Sequence, residues 1–171
     1  MRILTVAAAA LFVAVALPAH AAGTDPAVRA VLSRAIAQQP SYFASLIDHR
    51  HAATRGDGYL VYAATPSLRA LCPTCKIEIY RTKSGSTATW SFNLSLPDVT
   101  TDVRPTLDAL RALVAPLIPS YFHFTGRQLE CDGGSQSYHW SGPRGAAIEV
   151  DAGNDPGRGA SLVSRSIIIS S

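Results

Sequence analysis

Cys72-Pro73-Thr74-Cys75 spaces two thiols as in a redox pair or half of a zinc site, and Cys131 is the one remaining cysteine. A redox pair opens a helix, whose dipole lowers the thiol pKa. This pair runs instead into Lys76-Ile77-Glu78-Ile79-Tyr80, an alternating stretch that reads as a strand. A structural zinc needs four ligands; here Cys131 would be the third and His139 the nearest fourth. One structural disulfide among Cys72, Cys75 and Cys131 is therefore expected, with one thiol left over and with no metal and no cofactor. A bridge from Cys72 or Cys75 to Cys131 closes more than fifty residues. Loop entropy makes such a bridge worth about 4 kcal/mol, which favours it over the short Cys72–Cys75 bridge.

Asp48-His49-Arg50-His51 is the densest polar cluster. On a strand, His49 and His51 would share one face and could hold a metal with a third ligand from elsewhere, although a solvated strand end accounts for them equally well. His123 and His139 could meet across a sheet near Glu130 or Asp132 and do acid/base work, yet histidines in aromatic strands usually pack and make one hydrogen bond. No Gly-x-Ser-x-Gly elbow is present. Arg55-Gly56-Asp57 is turn chemistry, and the Asn93-Leu94-Ser95 sequon falls in an expected strand.

Residues 126–145 combine rings with guanidinium groups: Arg127, Tyr138, Trp140 and Arg144. These residue types bury large area while keeping a polar handle, so this segment is the expected contact surface for a partner.

The first residues set the compartment in which such a surface would work. Arg2 precedes an apolar run at 3–17, Pro18 breaks it, and Ala19-His20-Ala21 offers a cleavage site. Residues 1–21 thus read as a signal peptide, with periplasm or the secreted medium as the destination. The 171 residues carry 15 basic and 12 acidic side chains. Loss of Arg2 with the leader leaves 14 against 12, a charge of +2, too small to argue for nucleic acid. No later stretch reaches the length of a membrane span.

Residues 22–171 read as one α+β domain. Pro26 opens a helix at 26–38 with Val28, Val31, Leu32, Ala35 and Ile36 on one face, and a second at 105–115 carries Leu107, Leu110 and Val114. Pro40-Ser41-Tyr42-Phe43 follows the first helix and Pro119-Ser120-Tyr121-Phe122 the second. Tyr59-Leu60-Val61-Tyr62 then answers Ser137-Tyr138-His139-Trp140, and Lys76-Ile77-Glu78-Ile79 answers Ala147-Ile148-Glu149-Val150. The expected fold is a duplicated unit of one helix plus three or four antiparallel strands, halves 24–97 and 102–171, with both helices packed on one face of the sheet. The first half has extra residues at 65–74, where the cysteine pair sits.

With no complete catalytic motif, the expectation is a binding protein of the exported, soluble kind, without catalysis. An inhibitor or immunity-type protein that neutralises a partner toxin or hydrolase in the cell envelope fits size and compartment. The alternative is a small periplasmic hydrolase using His139 or His123. Oligomeric state is left open.

Overall fold

The computed structural model describes residues 26–55, 58–81, 88–100, 102–129, 134–154 and 162–171. The leader expected at 1–21 lies outside them, as do Glu130, Cys131 and Asp132.

Helix α1 (Pro26–Gln38) begins at its proline and buries Val31, Leu32, Ala35 and Ile36, the stripe its spacing dictates. Strands β1 (Thr54–Arg55), β2 (Tyr59–Tyr62), β3 (Lys76–Arg81) and β4 (Ala88–Val99) follow, with helix α2 (Pro66–Leu71) between β2 and β3. Helix α3 (Val103–Val114) then precedes β5 (His123–Leu129), β6 (Ser135–Ser141), β7 (Ala147–Asn154) and β8 (Val163–Ser170). The eight strands form one antiparallel sheet in the order β1-β2-β3-β4-β8-β7-β6-β5. Each run of four is a meander, and the last strands of the two runs pair at the centre.

The register explains the cohesion of this sheet. Tyr62 stands opposite Ile77, Ile77 opposite Phe92, and Phe92 opposite Ile169 across the central seam. Ile169 faces Ile148, Ile148 faces Trp140, and Trp140 faces Phe124. One row of large apolar side chains thus crosses seven strands. A second row, Leu94, Ile167, Val150 and Tyr138, runs beside it. Cross-strand neighbours are the unit of sheet stabilisation, so these rows bind the two meanders into one surface. The apolar faces of α1 and α3 join the same core.

The extra residues at 65–74 hold helix α2, which packs around the fully buried Leu68 with Pro66 in its first turn. One sequence expectation changes here. Tyr138 and Trp140 alternate with Ser137 and His139 along β6, and the aromatic phase is the one turned toward the helices. Both rings are buried, at 5% and 6% exposure. Tyr138 keeps its polar end satisfied by donating to Asp108 on α3 at 2.7 Å, while the Arg111 guanidinium lies 5.0 Å from its ring centroid. The Tyr138 hydroxyl, and after it Arg104, holds the Asp108 carboxyl below its ordinary value. These two rings are core side chains and do not share a surface with Arg127 and Arg144.

Trp140→Ala should therefore cost about 3–5 kcal/mol of stability. Urea unfolding checks this, and a loss of less than about 1 kcal/mol would place the ring outside the core.

Candidate functional site

The two Pro-Ser-Tyr-Phe segments do the same thing at two places. Pro40 falls in a 3-10 turn, Gln39–Ser41, that ends α1. Tyr42 and Phe43 then both adopt left-handed backbone, at φ 54° and 58°. The turn is closed by Tyr42 N donating to Gln39 O at 3.1 Å and Phe43 N to Gln38 O at 3.0 Å. Phe43 is fully buried against Phe92, and Tyr42 is 54% exposed. In the other segment Phe122 N donates to Pro119 O at 3.0 Å, Phe122 is buried and Tyr121 is 47% exposed. In each case the phenylalanine anchors the turn and the tyrosine projects. Phe122 also fixes Gly142, because a Cβ there would sit 2.6 Å from its ring.

Both tyrosines line one cleft of about 420 Å3, together with Gln39, Pro40, Pro143, Arg144 and Ser171. Its wall is assembled from the end of α1, the entry to β5, the β6–β7 turn and the residue after β8. Three non-glycine residues among those described have positive φ: Tyr42, Phe43 and Arg144. Two line the cleft and the third anchors it. Left-handed backbone on a non-glycine residue costs on the order of 1–3 kcal/mol, and such strain collects at functional sites. Full burial of a phenylalanine side chain returns about 1.5–3 kcal/mol, enough to hold one such residue in place.

The polar groups of the cleft are few. Gln39 is buried and its Nε2 donates to Ser170 O at 3.3 Å. Ser171 Oγ is buried with no hydrogen-bond partner among the described residues. An orphaned hydroxyl of this kind costs about 1–3 kcal/mol. Arg144 is exposed, and no hydrogen bond or ion pair to a described residue engages its guanidinium. Rigid rings, a free cation and an unsatisfied hydroxyl around a concave surface are binding chemistry.

Of the four residues expected at the contact surface, Arg144 alone lines this cleft. Arg127 is exposed on β5, opposite the buried Tyr138. In the sequence Tyr42 and Tyr121 stand out only as members of the repeated Pro-Ser-Tyr-Phe. The signal that could have found them was the Tyr-Phe pair itself, since a reversal after a helix cannot bury two successive rings.

The histidines are placed as follows. His139 and Glu149 are cross-strand neighbours on the sheet face opposite the helices. Ser137 Oγ lies 2.7 Å from His139 Nε2, and Glu149 Oε1 lies 3.5 Å from the same nitrogen. A relay needs the hydroxyl and the carboxylate on different ring nitrogens, so that one accepts while the other donates. Here both lie at Nε2, so the three side chains do not form such a relay in this arrangement. His123 is exposed at the start of β5, opposite Ser141.

The 48–51 segment is a turn and not the strand end expected. Asp48 is buried and accepts from Arg50 N at 3.2 Å, Arg50 Nε at 3.0 Å and Arg50 Nη2 at 3.3 Å. His51 Nδ1 lies 3.1 Å and Arg69 Nη2 of α2 3.8 Å from Oδ2, the oxygen that also accepts from Arg50 Nη2. His49 Nε2 points elsewhere, to Ala44 O at 3.2 Å. The two imidazoles thus serve different partners.

The disulfide joins Cys72 to Cys75, with Cα atoms 5.4 Å apart. This corrects the expected long bridge to Cys131. Cys75 N donates to Cys72 O at 3.3 Å, so a tight turn at the end of α2 sets the two thiols face to face. Local geometry decides the pairing before loop entropy can act.

No protein-family model, curated protein or solved structure matches the chain.

Hydrogen bonds from Arg50, with its charge, lower the Asp48 pKa from 3.8 to about 2. The unfolded chain therefore takes up this proton first as pH falls. Stability from Asp48 is complete above about pH 5 and is lost as pH drops through about 2. Measured by urea unfolding, the stability gap between wild type and Asp48→Asn should shrink steadily over that window. A gap independent of pH would contradict the assignment.

Proposed function

We propose that this chain is an exported binding protein without catalysis, of inhibitor or immunity type, that neutralises a partner toxin or hydrolase in the cell envelope. The contact is the cleft between Tyr42 and Tyr121. The observation that carries this reading is the pair of exposed tyrosines beside the Arg144 guanidinium, which pairs with no described residue. Tyrosine and arginine are the side chains that dominate interface energetics, because they bury area at low entropic cost. The occupant we assign is a partner loop with a carboxylate beside an apolar residue. The carboxylate meets Arg144, and the apolar group enters between the rings.

Export is supported by the leader-type residues 1–21 and by the Cys72–Cys75 disulfide, which suits an oxidising compartment. Among the described residues no helix is long and apolar enough to cross a membrane. The hydrolase alternative loses ground because Ser137 and Glu149 meet one nitrogen of His139.

We also read the halves 24–97 and 102–171 as copies of one unit. Each described half has a long helix followed by a four-stranded meander, and the final strands β4 and β8 pair antiparallel. The two copies of Pro-Ser-Tyr-Phe end at one cleft. On this reading the cleft is where equivalent turns of the two units meet.

Tyr42→Ala, Tyr121→Ala and Arg144→Glu should each weaken binding of the captured envelope partner by about 2 kcal/mol, with stability unchanged within about 0.5 kcal/mol. Isothermal titration calorimetry with the identified partner, using Arg127→Glu as the control, reads this. Equal affinity in all variants would remove the cleft from the contact. Turnover of an ester, amide or glycan that disappears in His139→Ala would replace the binder with the hydrolase.

A further inference from the structure

The two edges of the sheet are unequal. β1, at one, is two residues long. β5, at the other, runs for seven, and every residue in it except Gly126 is exposed. No described strand pairs with its outer side. Such an edge carries backbone N–H and C=O groups ready to pair with another strand. The register shows which side chains stand along it. Phe124 faces Trp140, Arg127 faces Tyr138 and Leu129 faces Gln136. The bulge at Thr125 absorbs one residue, so Phe124 and Arg127, three apart, stand on the same side. That is the helix side of the sheet, since Trp140 and Tyr138 belong to the core.

Helix α3 lies over β6, β7 and β8 and leaves this side of β5 largely open. Phe124 is 45% exposed there and Leu129 58%. The wall beside this apolar shelf is charged. Arg104, Asp108 and Arg111 are spaced four and three apart, on one face of α3. Asp108 accepts from Tyr138, and the Arg111 guanidinium lies 4.7 Å over the Phe124 ring, so that face is turned toward β5. Together α3 and β5 hold three guanidinium groups, those of Arg104, Arg111 and Arg127, against the one carboxylate of Asp108. Asp108 pairs with Arg104 at 3.2 Å, and whichever arginine it neutralises, the groove keeps a positive surplus.

We propose that β5 accepts an extended acidic segment of a partner protein as a ninth strand, laid along the groove between β5 and α3. Main-chain hydrogen bonds hold an added strand, and its alternate side chains give selectivity. On the helix side Arg127 stands between Phe124 and Leu129. That order calls for a carboxylate with an apolar residue two positions away on either side. Charge decides against a second copy of this chain. β5 has an arginine and no acidic residue, so two copies paired along this edge would bring like charges together. The groove is separate from the Tyr42–Tyr121 cleft: Tyr121 precedes β5, whereas Arg127 and Leu129 stand toward its far end.

The probe is a capped peptide, Thr-Val-Thr-Glu-Thr-Val-Thr, titrated into the whole chain up to about 1 mM and followed by backbone amide NMR. Saturable shifts should appear in β5 and on the Arg104–Arg111 face of α3, and the β5 amides should exchange more slowly with peptide bound. The same peptide with lysine in place of glutamate should bind about tenfold more weakly, as an attraction becomes a repulsion. Arg127→Glu should reverse that order and make the lysine peptide the tighter ligand, a swap that damage to the fold cannot produce. The proposal is overturned by an absence of saturable β5 shifts over that range, or by a peptide preference that Arg127→Glu leaves unchanged. Protection of β5 amides that rises with protein concentration in the absence of peptide would overturn it too, and would assign the edge to a second copy.

Discussion

Phe92 and Ile169 meet across the middle of the sheet, and almost everything else depends on that meeting. Each meander alone would end at an open strand, β4 in one and β8 in the other. Such edges invite aggregation, and a small sheet under one helix buries too little apolar area to be stable alone. Pairing β4 with β8 removes both edges. It also aligns the apolar rows, so that side chains from six strands and two long helices enter one core. The cost of ordering the chain is met by this shared burial, with no single contact dominating.

The seam also determines where polar groups can do something other than hold the fold. At one end the chain leaves β8 beside the turn that follows α1, and the entry to β5 arrives from the other side. That convergence sets Tyr42, Tyr121 and Arg144 around one cleft. The strained backbone at Tyr42 and Arg144 belongs to the same logic. A turn anchored by Phe43 or closed against Phe122 cannot relax without pulling a ring from the core, so the projecting side chains are held in place before any partner arrives.

Much of this architecture was legible in the residues. Pro26 and the Val31, Leu32, Ala35, Ile36 stripe located α1 at 26–38, where it stands. The second helix begins at Val103, where its apolar stripe of Val103, Leu107, Leu110 and Val114 starts, with Pro105 accommodated within the first turn. The alternation of Lys76-Ile77-Glu78-Ile79 gave a strand correctly. What could not be read was which phase of β6 is buried: Tyr138 and Trp140 are as plausible on an interface as in a core, and only the position of α3 decides. The disulfide was obscured by a competing argument, since loop entropy rewards long bridges while the turn at Cys72-Pro73-Thr74-Cys75 brings its own thiols together first. The cleft was invisible because its residues lie far apart in sequence. The helix α2 was also missed, because six residues give too short a period to recognise.

Native-state hydrogen exchange tests the central claim, that the β4–β8 seam makes the two meanders one cooperative structure. The account predicts that the amides of Phe92, Leu94, Ile167 and Ile169 exchange only through global unfolding, with strands β3 and β7 on either side sharing that free energy. Exchange of β5, β6 and β7 as a unit that opens independently of β2, β3 and β4 would contradict it, because the seam would then be a contact between two separately stable bodies.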